Sequence, residues 1–209
     1  MTTTANTAEA NPTIFAVVLA AGQSTRFGAS KQLATIDGAP LIRRALKVAA
    51  EACGEYVLTV LGHDAATVYR AMQTNSGFLV VNEGFEGGLG TSIAVAACAC
   101  PPETDALLLL LADQALVTAE HLEALMSAWS GAPNEIVATS YADIEGPPVL
   151  MPRETFADLS RLDGDAGARL LFRDKRFRLK TVCFEDAAID IDTGDDLAEL
   201  LKRRPPWRG

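Results

Sequence analysis

The sequence predicts an α/β fold with a mainly parallel sheet, on three observations. Strand-like and helix-like segments alternate along the first two-thirds of the chain, a pattern that right-handed crossovers turn into parallel strands. Two of the strand-like segments, 14–19 and 106–111, are continuous apolar runs, as strands covered on both faces require. Glycine-rich loops follow strand ends, and in open α/β sheets the carboxyl ends of strands hold ligands. Later strands, around Val149 and Leu179, are expected to add a mixed or antiparallel element. The length of 209 residues suits one domain over 13–204. Residues 1–12, rich in Thr, Ala and Asn, read as a disordered tail without the basic start of a secretory signal.

The first strand, 14–19, has the length and β-branched content of a buried strand. It breaks into Leu19-Ala20-Ala21-Gly22-Gln23-Ser24-Thr25-Arg26-Phe27-Gly28-Ala29-Ser30-Lys31. Glycine lets backbone N–H groups approach an anion closely, and Arg26 and Lys31 add charge suited to phosphate oxygens. The stretch reads as a phosphate-cradling loop; the bland alternative is a flexible βα loop with incidental basic residues. It is not a P-loop, because Gly-Lys-Ser/Thr is missing, nor a G-x-G-x-x-G dinucleotide fingerprint. The stretch resembles the L-A-A-G-x-S-x-R-x-G-x-x-K signature of nucleotidyltransferases. Within them it is most similar to the MocA-like branch, the molybdenum cofactor cytidylyltransferases.

Residues 32–36 read as a short extended piece closed by the turn Asp37-Gly38. Pro40 suits the first turn of a helix through about residue 51, with Leu41, Ile42, Ala45, Leu46 and Ala49 on one face. The second strand is 56–61, Asp64 caps a helix to about residue 74, and the third strand is 78–81. A glycine-rich loop, 82–93, then opens a helix over 93–100 that Pro101-Pro102 ends. Glycines before a helix N-terminus, with Thr91 and Ser92 in the first turn, make an anion- or base-reading edge, unless the loop is simply mobile. It resembles the family's N-x-x-x-x-x-G-x-x-x-S segment through Asn82, Gly88 and Ser92.

The most apolar strand, 106–111, runs straight into Ala112-Asp113-Gln114. An isolated carboxylate past a buried strand is costly unless it meets a cation. Asp113 therefore reads as a metal ligand, or else as a turn or N-cap residue before the helix at 118–129. The family pattern is G-D-Q-P; this chain keeps the aspartate but has Ala112 and Ala115 in place of the glycine and proline. A strand follows at 135–139. Residues 146–152 resemble the family's G-x-P-V-L segment, and their prolines fit an edge or substrate-facing strand. A helix is expected over 155–162. Gly164 to Arg169 matches G-D-x-G-A-R, with Asp165 able to cap a helix through residue 173. Arg169 either faces the acceptor phosphate or pairs with a nearby acid. Residues 178–184 alternate like a half-exposed strand.

The segment 188–197 resembles the family's D-I-D-T-P-E-D-L ending. Asp190 and Asp192 lie on one side of an extended chain, since side chains alternate with period two. Asp192 otherwise reads as a turn residue, and Asp195 and Asp196 as first-turn acids. Thr193 can cap a last helix to about residue 203.

The resemblance spans about residues 14–201 through five motifs in the expected order. It implies a Rossmann-like, three-layer α/β/α fold of the nucleotide-diphospho-sugar transferase type, and nucleotidyl transfer as the chemistry. Leu19, Ala20, Ala21, Gly22, Ser24, Asn82, Gly88, Ser92 and Asp113 would contact the nucleotide, with Arg26 and Lys31 clamping its triphosphate. Arg26, Lys31 and Asp113 would be the catalytic set. Asp113, with Asp190 or Asp192, would hold Mg²⁺, and Gln114, Pro148, Asp165 and Arg169 would border the acceptor. Ala21 and the single Gly28 lean toward CTP, because guanylyltransferase relatives more often show L-A-G-G. The implied acceptor is molybdopterin or the molybdenum cofactor, with transient contact with a molybdoenzyme. Two other readings stand beside this one. The first is a relative using GTP or a sugar or alditol phosphate. The second is a nucleotide-binding accessory factor for a molybdenum hydroxylase without turnover, against which Lys31 and Asp113 argue.

A net charge of −9 with no basic run argues against a nucleic-acid surface. Cys53, Cys98, Cys100 and Cys183 lack zinc spacing and read as buried thiols of a cytoplasmic protein. No apolar run nears the roughly 20 residues of a membrane span.

Overall fold

The fold comes from a computed structural model, described over residues 11–24, 27–73, 77–191 and 193–203. Its first strand, β1 (Ile14–Ala20), is buried from Phe15 onward. After the loop and a 3₁₀ turn at Lys31–Leu33, β2 (Thr35–Ile36) and β3 (Ala39–Pro40) pair as a small antiparallel ribbon. The turn between them needs positive φ at Asp37 and Gly38 (52° and 77°), conformations open to Asp and Gly. The sequence showed the turn but not the ribbon. The first helix, α1 (Leu41–Cys53), buries Leu41, Ile42, Leu46 and Ala49, the face its periodicity predicts.

The chain continues through β4 (Val57–Leu61), α2 (Ala65–Met72), β5 (Phe78–Val81), α3 (Leu89–Ala99), β6 (Ala106–Leu111) and α4 (Ala119–Ala128). β7 (Glu135–Tyr141), β8 (Ile144–Pro152), the one-turn α5 (Phe156–Leu159), a 3₁₀ segment at Gly167–Arg173, β9 (Arg178–Cys183) and α6 (Gly194–Arg203) complete it. α3 begins at Leu89 rather than at Ile93. Gly88, at φ 92°, makes the break, so Leu89 and Gly90 join the helix instead of preceding it, and Thr91 and Ser92 lie in its first turn as expected. Thr118 caps α4 by accepting the His121 N–H (3.2 Å). Thr193 caps α6 by accepting the Asp196 N–H (3.2 Å), and Asp196 returns the bond to the Thr193 N–H (2.7 Å).

The sheet order is β5-β4-β1-β6-β8-β7-β9. β5, β4, β1 and β6 are mutually parallel; β8 runs antiparallel to β6 and β7, and β9 runs parallel to β7. The mixed element is thus one reversed strand. β8 is interior, contrary to the edge placement that its prolines suggest. The ladder to β7 passes from Ala138↔Val149 to Thr139↔Gly146, so Pro147 and Pro148, which have no N–H to give, sit in a bulge that skips them.

Successive residues of a strand face opposite sides, and the core divides accordingly. Ala16, Val18 and Ala20 pack with α1, α2 and α4. Phe15, Val17 and Leu19 pack with α3, α5 and the 3₁₀ segment. Burying a Leu or Val side chain is worth about 1.5–3 kcal/mol, so both layers hold the sheet rigid beneath its loops. A third cluster joins Leu200 of α6 and Ile191 to Ile36, Leu41 and Ala115, which brings the C-terminal segment back to the end of β6. No described helix is long and apolar enough to cross a membrane.

Candidate active site

The loop after β1 is shaped by a residue the sequence reading passed over. Gln32 is 3% exposed. Its Nε2 donates to the carbonyls of Ala20 (3.1 Å) and Gly22 (3.0 Å), and its Oε1 accepts from the Ser24 hydroxyl (3.4 Å). Ser24 sits at φ 56°, a region few side chains enter, and its Oγ accepts the Lys31 N–H (3.0 Å). One buried amide and one hydroxyl therefore fold Ala20–Ser24 against the 3₁₀ turn that carries Lys31. At Gly62, just past β4, an added Cβ would lie 2.8 Å from the Cβ and carbonyl O of Ala21 and from the Cβ of Phe85. The loop packs so closely there that only glycine fits.

The second wall is the glycine loop before α3. Asn82, 2% exposed, donates to the hydroxyls of Thr91 (2.8 Å) and Ser92 (3.1 Å) and accepts the Gly84 N–H (2.9 Å). Its side chain is thus consumed in holding the loop and does not face the cavity. The loop is stapled to the chain at 163–165: Gly90 N–H donates to the Gly164 carbonyl, and Gly164 N–H to that of Gly87, both at 2.8 Å. At Gly88 a Cβ would meet Asp165 Oδ1 at 2.5 Å and the Gly164 carbonyl carbon at 2.6 Å.

Between the walls is a cavity of about 480 Å³, lined among others by Gly22, Ser24, Lys31, Gly88, Ser92 and Asp113. Gln23 and Glu86 also reach it, their side chains 3.5 Å apart, as does Phe85. None of these three was anticipated. Lys31 Nζ and an Asp113 carboxylate oxygen form a direct ion pair, with side chains only 17% and 13% exposed. The carboxylate past the central strand does meet a cation, and that cation is the lysine of the first loop.

A second cavity of about 350 Å³ shares Leu19, Leu89, Leu111 and Asp165 with the first. Its walls are mostly apolar, with Arg169, Asp190 and Tyr141 as the other polar groups. Pro147 and Val149 line it, whereas Pro148 does not; alternation turns Pro148 away, and its carbonyl accepts from Thr139 (2.6 Å). Gln114 is also turned away. Its Nε2 donates to the carbonyls of Pro147 (3.0 Å) and Ala187 (3.1 Å), so it fixes the bulged strand instead of bordering the cavity. Tyr141, 7% exposed, ends β7 at the same sheet edge as Asp113. A hydroxylated aromatic at that position was a legible sign of the site.

Ile191 N–H donates to the Asp113 carbonyl (3.2 Å), so the segment carrying Asp190 runs beside Asp113. Arg26 and Asp192 lie outside the described residues. Among the described residues no group of three or more His, Cys, Asp or Glu is placed to hold a metal ion. A hard cation such as Mg²⁺ or Mn²⁺ takes oxygen ligands, often one or two carboxylates completed by water and substrate phosphates. Asp113, open to the larger cavity, and Asp190, in the adjoining one, fit that mode.

Residues 16–181 match the MobA-like NTP transferase domain family. The chain is 28% identical to nicotine blue oxidoreductase of Paenarthrobacter nicotinovorans, over 91% of this chain and 97% of that one. It is 29% identical to purine catabolism protein PucB of Bacillus subtilis, over 78% and 82%. Among solved structures it is similar to Rv0371c from Mycobacterium tuberculosis, with a TM-score of 0.81 and 32% identity over 91% and 99% of the two chains. A structure of Rv0371c complexed with manganese matches at a TM-score of 0.77, with 30% identity over 92% of this chain and all of that one (100%).

Proposed function

The chain belongs to the MobA-like NTP transferase family and is a nucleotidyltransferase; from that premise we propose that it moves CMP from CTP to the phosphate of molybdopterin or the molybdenum cofactor, with Mg²⁺. The observation that carries this reading is the pair of cavities with a shared wall. One is lined by Lys31, Asp113 and glycine-loop backbone, the other by apolar residues and Arg169. A triphosphate in the first puts its α-phosphorus within reach of an acceptor in the second.

In the proposed reaction an acceptor phosphate oxygen forms a bond to the α-phosphorus. The bond from that phosphorus to the bridging oxygen of the β-phosphate breaks, and pyrophosphate carries that electron pair away. No protein nucleophile is needed, so positioning and charge neutralisation carry the catalysis. The Lys31 ammonium leaves Asp113 for the triphosphate, where it offsets charge building on the leaving group. Asp113, released, and Asp190 are the described carboxylates that would hold the divalent ion, which when bound polarises phosphoryl oxygens. A cytosine base is supported by Gln23 and Glu86 at the cavity rim, since a carboxylate suits the exocyclic amino group of cytosine.

The test is pyrophosphate release with each of the four nucleoside triphosphates, using molybdopterin or a sugar phosphate as acceptor. CTP with molybdopterin should be fastest, and Lys31→Ala or Asp113→Ala should abolish turnover. Full turnover by Asp113→Ala would sink the metal assignment, and nucleotide binding without pyrophosphate from any acceptor would favour the accessory reading. Because one relative is named an oxidoreductase, NADH and NADPH consumption should be followed in parallel. The proposal expects none.

A further inference from the structure

Tyr141 is the best-placed polar group of the smaller cavity that the transfer reading leaves without a task. The residue is buried and lines the cavity, with its hydroxyl beside Arg169, another lining residue. The guanidinium Nη2 donates to Tyr141 Oη at 3.5 Å. The oxygen therefore acts as acceptor in that contact, and its own proton meets no acceptor among the described residues. A hydroxyl donor on a largely buried residue calls for a ligand or water to complete it. Gly146 shows how tightly the pair is set. A Cβ there would fall 2.4 Å from Tyr141 Oη and 2.7 Å from Arg169 Nη2, so bare backbone lets both groups lie over the bulged strand. A phenol, with an ordinary pKa of about 10, is neutral at pH 7. The group keeps its proton and can give it in a hydrogen bond.

We propose that Tyr141 is a specificity-determining residue for the acceptor. With Arg169 it forms a two-pronged donor for a carbonyl-type or anionic oxygen, on a substrate whose flat apolar body lies against Leu109, Leu111, Val149 and Phe172. This rests on the reading of the smaller cavity as the acceptor site. Apart from Arg169 the cavity offers no cation among its lining residues, while Asp165 and Asp190 oppose a second negative charge. The acceptor class is thus a ring-bearing phosphate monoester with a hydrogen-bond-accepting oxygen on the side away from its phosphate. Multiply charged sugar phosphates fit poorly.

The experiment compares the wild type with Tyr141→Phe, using molybdopterin as acceptor and CTP with Mg²⁺. Loss of one hydrogen bond to a buried ligand oxygen should raise KM for molybdopterin about tenfold and leave KM for CTP and the melting temperature in place. Gly146→Ala, which must push both donors aside, should raise the same KM independently. An unchanged acceptor KM in Tyr141→Phe, or both KM values rising together with a lowered melting temperature, would overturn the proposal. If the wild type releases no pyrophosphate, the transfer reading fails separately. Equilibrium binding of molybdopterin, followed by pterin fluorescence, then decides: about tenfold weaker binding by Tyr141→Phe supports the role, while equal affinity or no wild-type binding overturns it.

Discussion

Replacing Gln32 with methionine keeps the volume of the side chain and removes its hydrogen bonds. Two carbonyls, of Ala20 and Gly22, lose their donor, and the Ser24 hydroxyl loses its acceptor. At a net value of about 1 kcal/mol per bond, the loss is on the order of 2–3 kcal/mol. For a chain of this size that lowers the melting temperature by roughly 4–12 °C. The larger effect should fall on binding. Gln32 holds Gly22 and Ser24 against the cavity before any ligand arrives. Without it the nucleotide must order those residues itself, at about 1–2 kcal/mol each, which weakens its affinity roughly 30-fold or more. Thermal melting by circular dichroism and nucleotide titration by calorimetry measure the two effects. A Gln32→Met protein that melts within about 1 °C of the wild type and binds nucleotide equally well would refute the reasoning. Gln32→Glu gives a check on sign. A carboxylate facing two carbonyl oxygens is repelled, so this variant should melt lowest at neutral pH. It should recover as pH falls, when the protonated acid can donate again.

Lys31→Ala should bind Mn²⁺ at least about tenfold more tightly without nucleotide, because a competing cation leaves Asp113, while nucleotide affinity falls; electron paramagnetic resonance of free Mn²⁺ reads the first change, and equal Mn²⁺ affinity would contradict it. His121 is 5% exposed, stacked on Phe184, with its pKa pushed down to about 4 by burial. Since Thr139 donates its only proton to Pro148 (2.6 Å), His121 Nε2 must carry hydrogen in the 2.8 Å contact with Thr139. The unfolded imidazole takes up a proton first, so its contribution is full above about pH 6.5 and is lost as pH falls toward 4. Between pH 7 and pH 5 about 2 kcal/mol should disappear, and urea unfolding of His121→Leu should lack that slope. Gly88→Ala must displace Asp165 and strain a φ of 92°. It should cost about 1–3 kcal/mol and weaken nucleotide and acceptor binding together, which separate titrations would show.

That Gly22, Gly88 and Lys31 line one cavity was legible in the sequence. Gly88 stands where a Cβ would not fit, and Lys31 brings a charge that Asp113 answers, properties that residue type and spacing already express. The strands of the core, β1 and β6 above all, were legible for the same kind of reason, because burial on both faces demands an unbroken apolar run. β8 was legible as a strand of the mixed element but its interior place was not, since the prolines at 147 and 148 announce gaps in a ladder and not which neighbours close around them. Gln32, Asn82 and Gln114 share a different obstacle. An amide in a loop reads identically whether it faces a ligand or satisfies buried carbonyls, and only the fold decides between them. Gly88 against Asp165 and Ile191 against Asp113 are contacts across distant parts of the chain, which no local pattern encodes.

Asp113 illustrates how a sound sequence argument can have two solutions. A carboxylate beyond a buried strand needs a cation, and metal was the cation that reasoning supplied; the structure supplies Lys31. Need for a cation alone therefore does not argue for metal. What favours it in the proposed reading is the opening of Asp113 to the cavity and the docking of Ile191 beside it, which brings Asp190 near. On the proposed reading lysine and metal would compete for one carboxylate. A triphosphate would resolve the competition, because its oxygens attract Lys31 more strongly than a single carboxylate does. Nucleotide and metal should accordingly bind with mutual reinforcement, each freeing what the other needs.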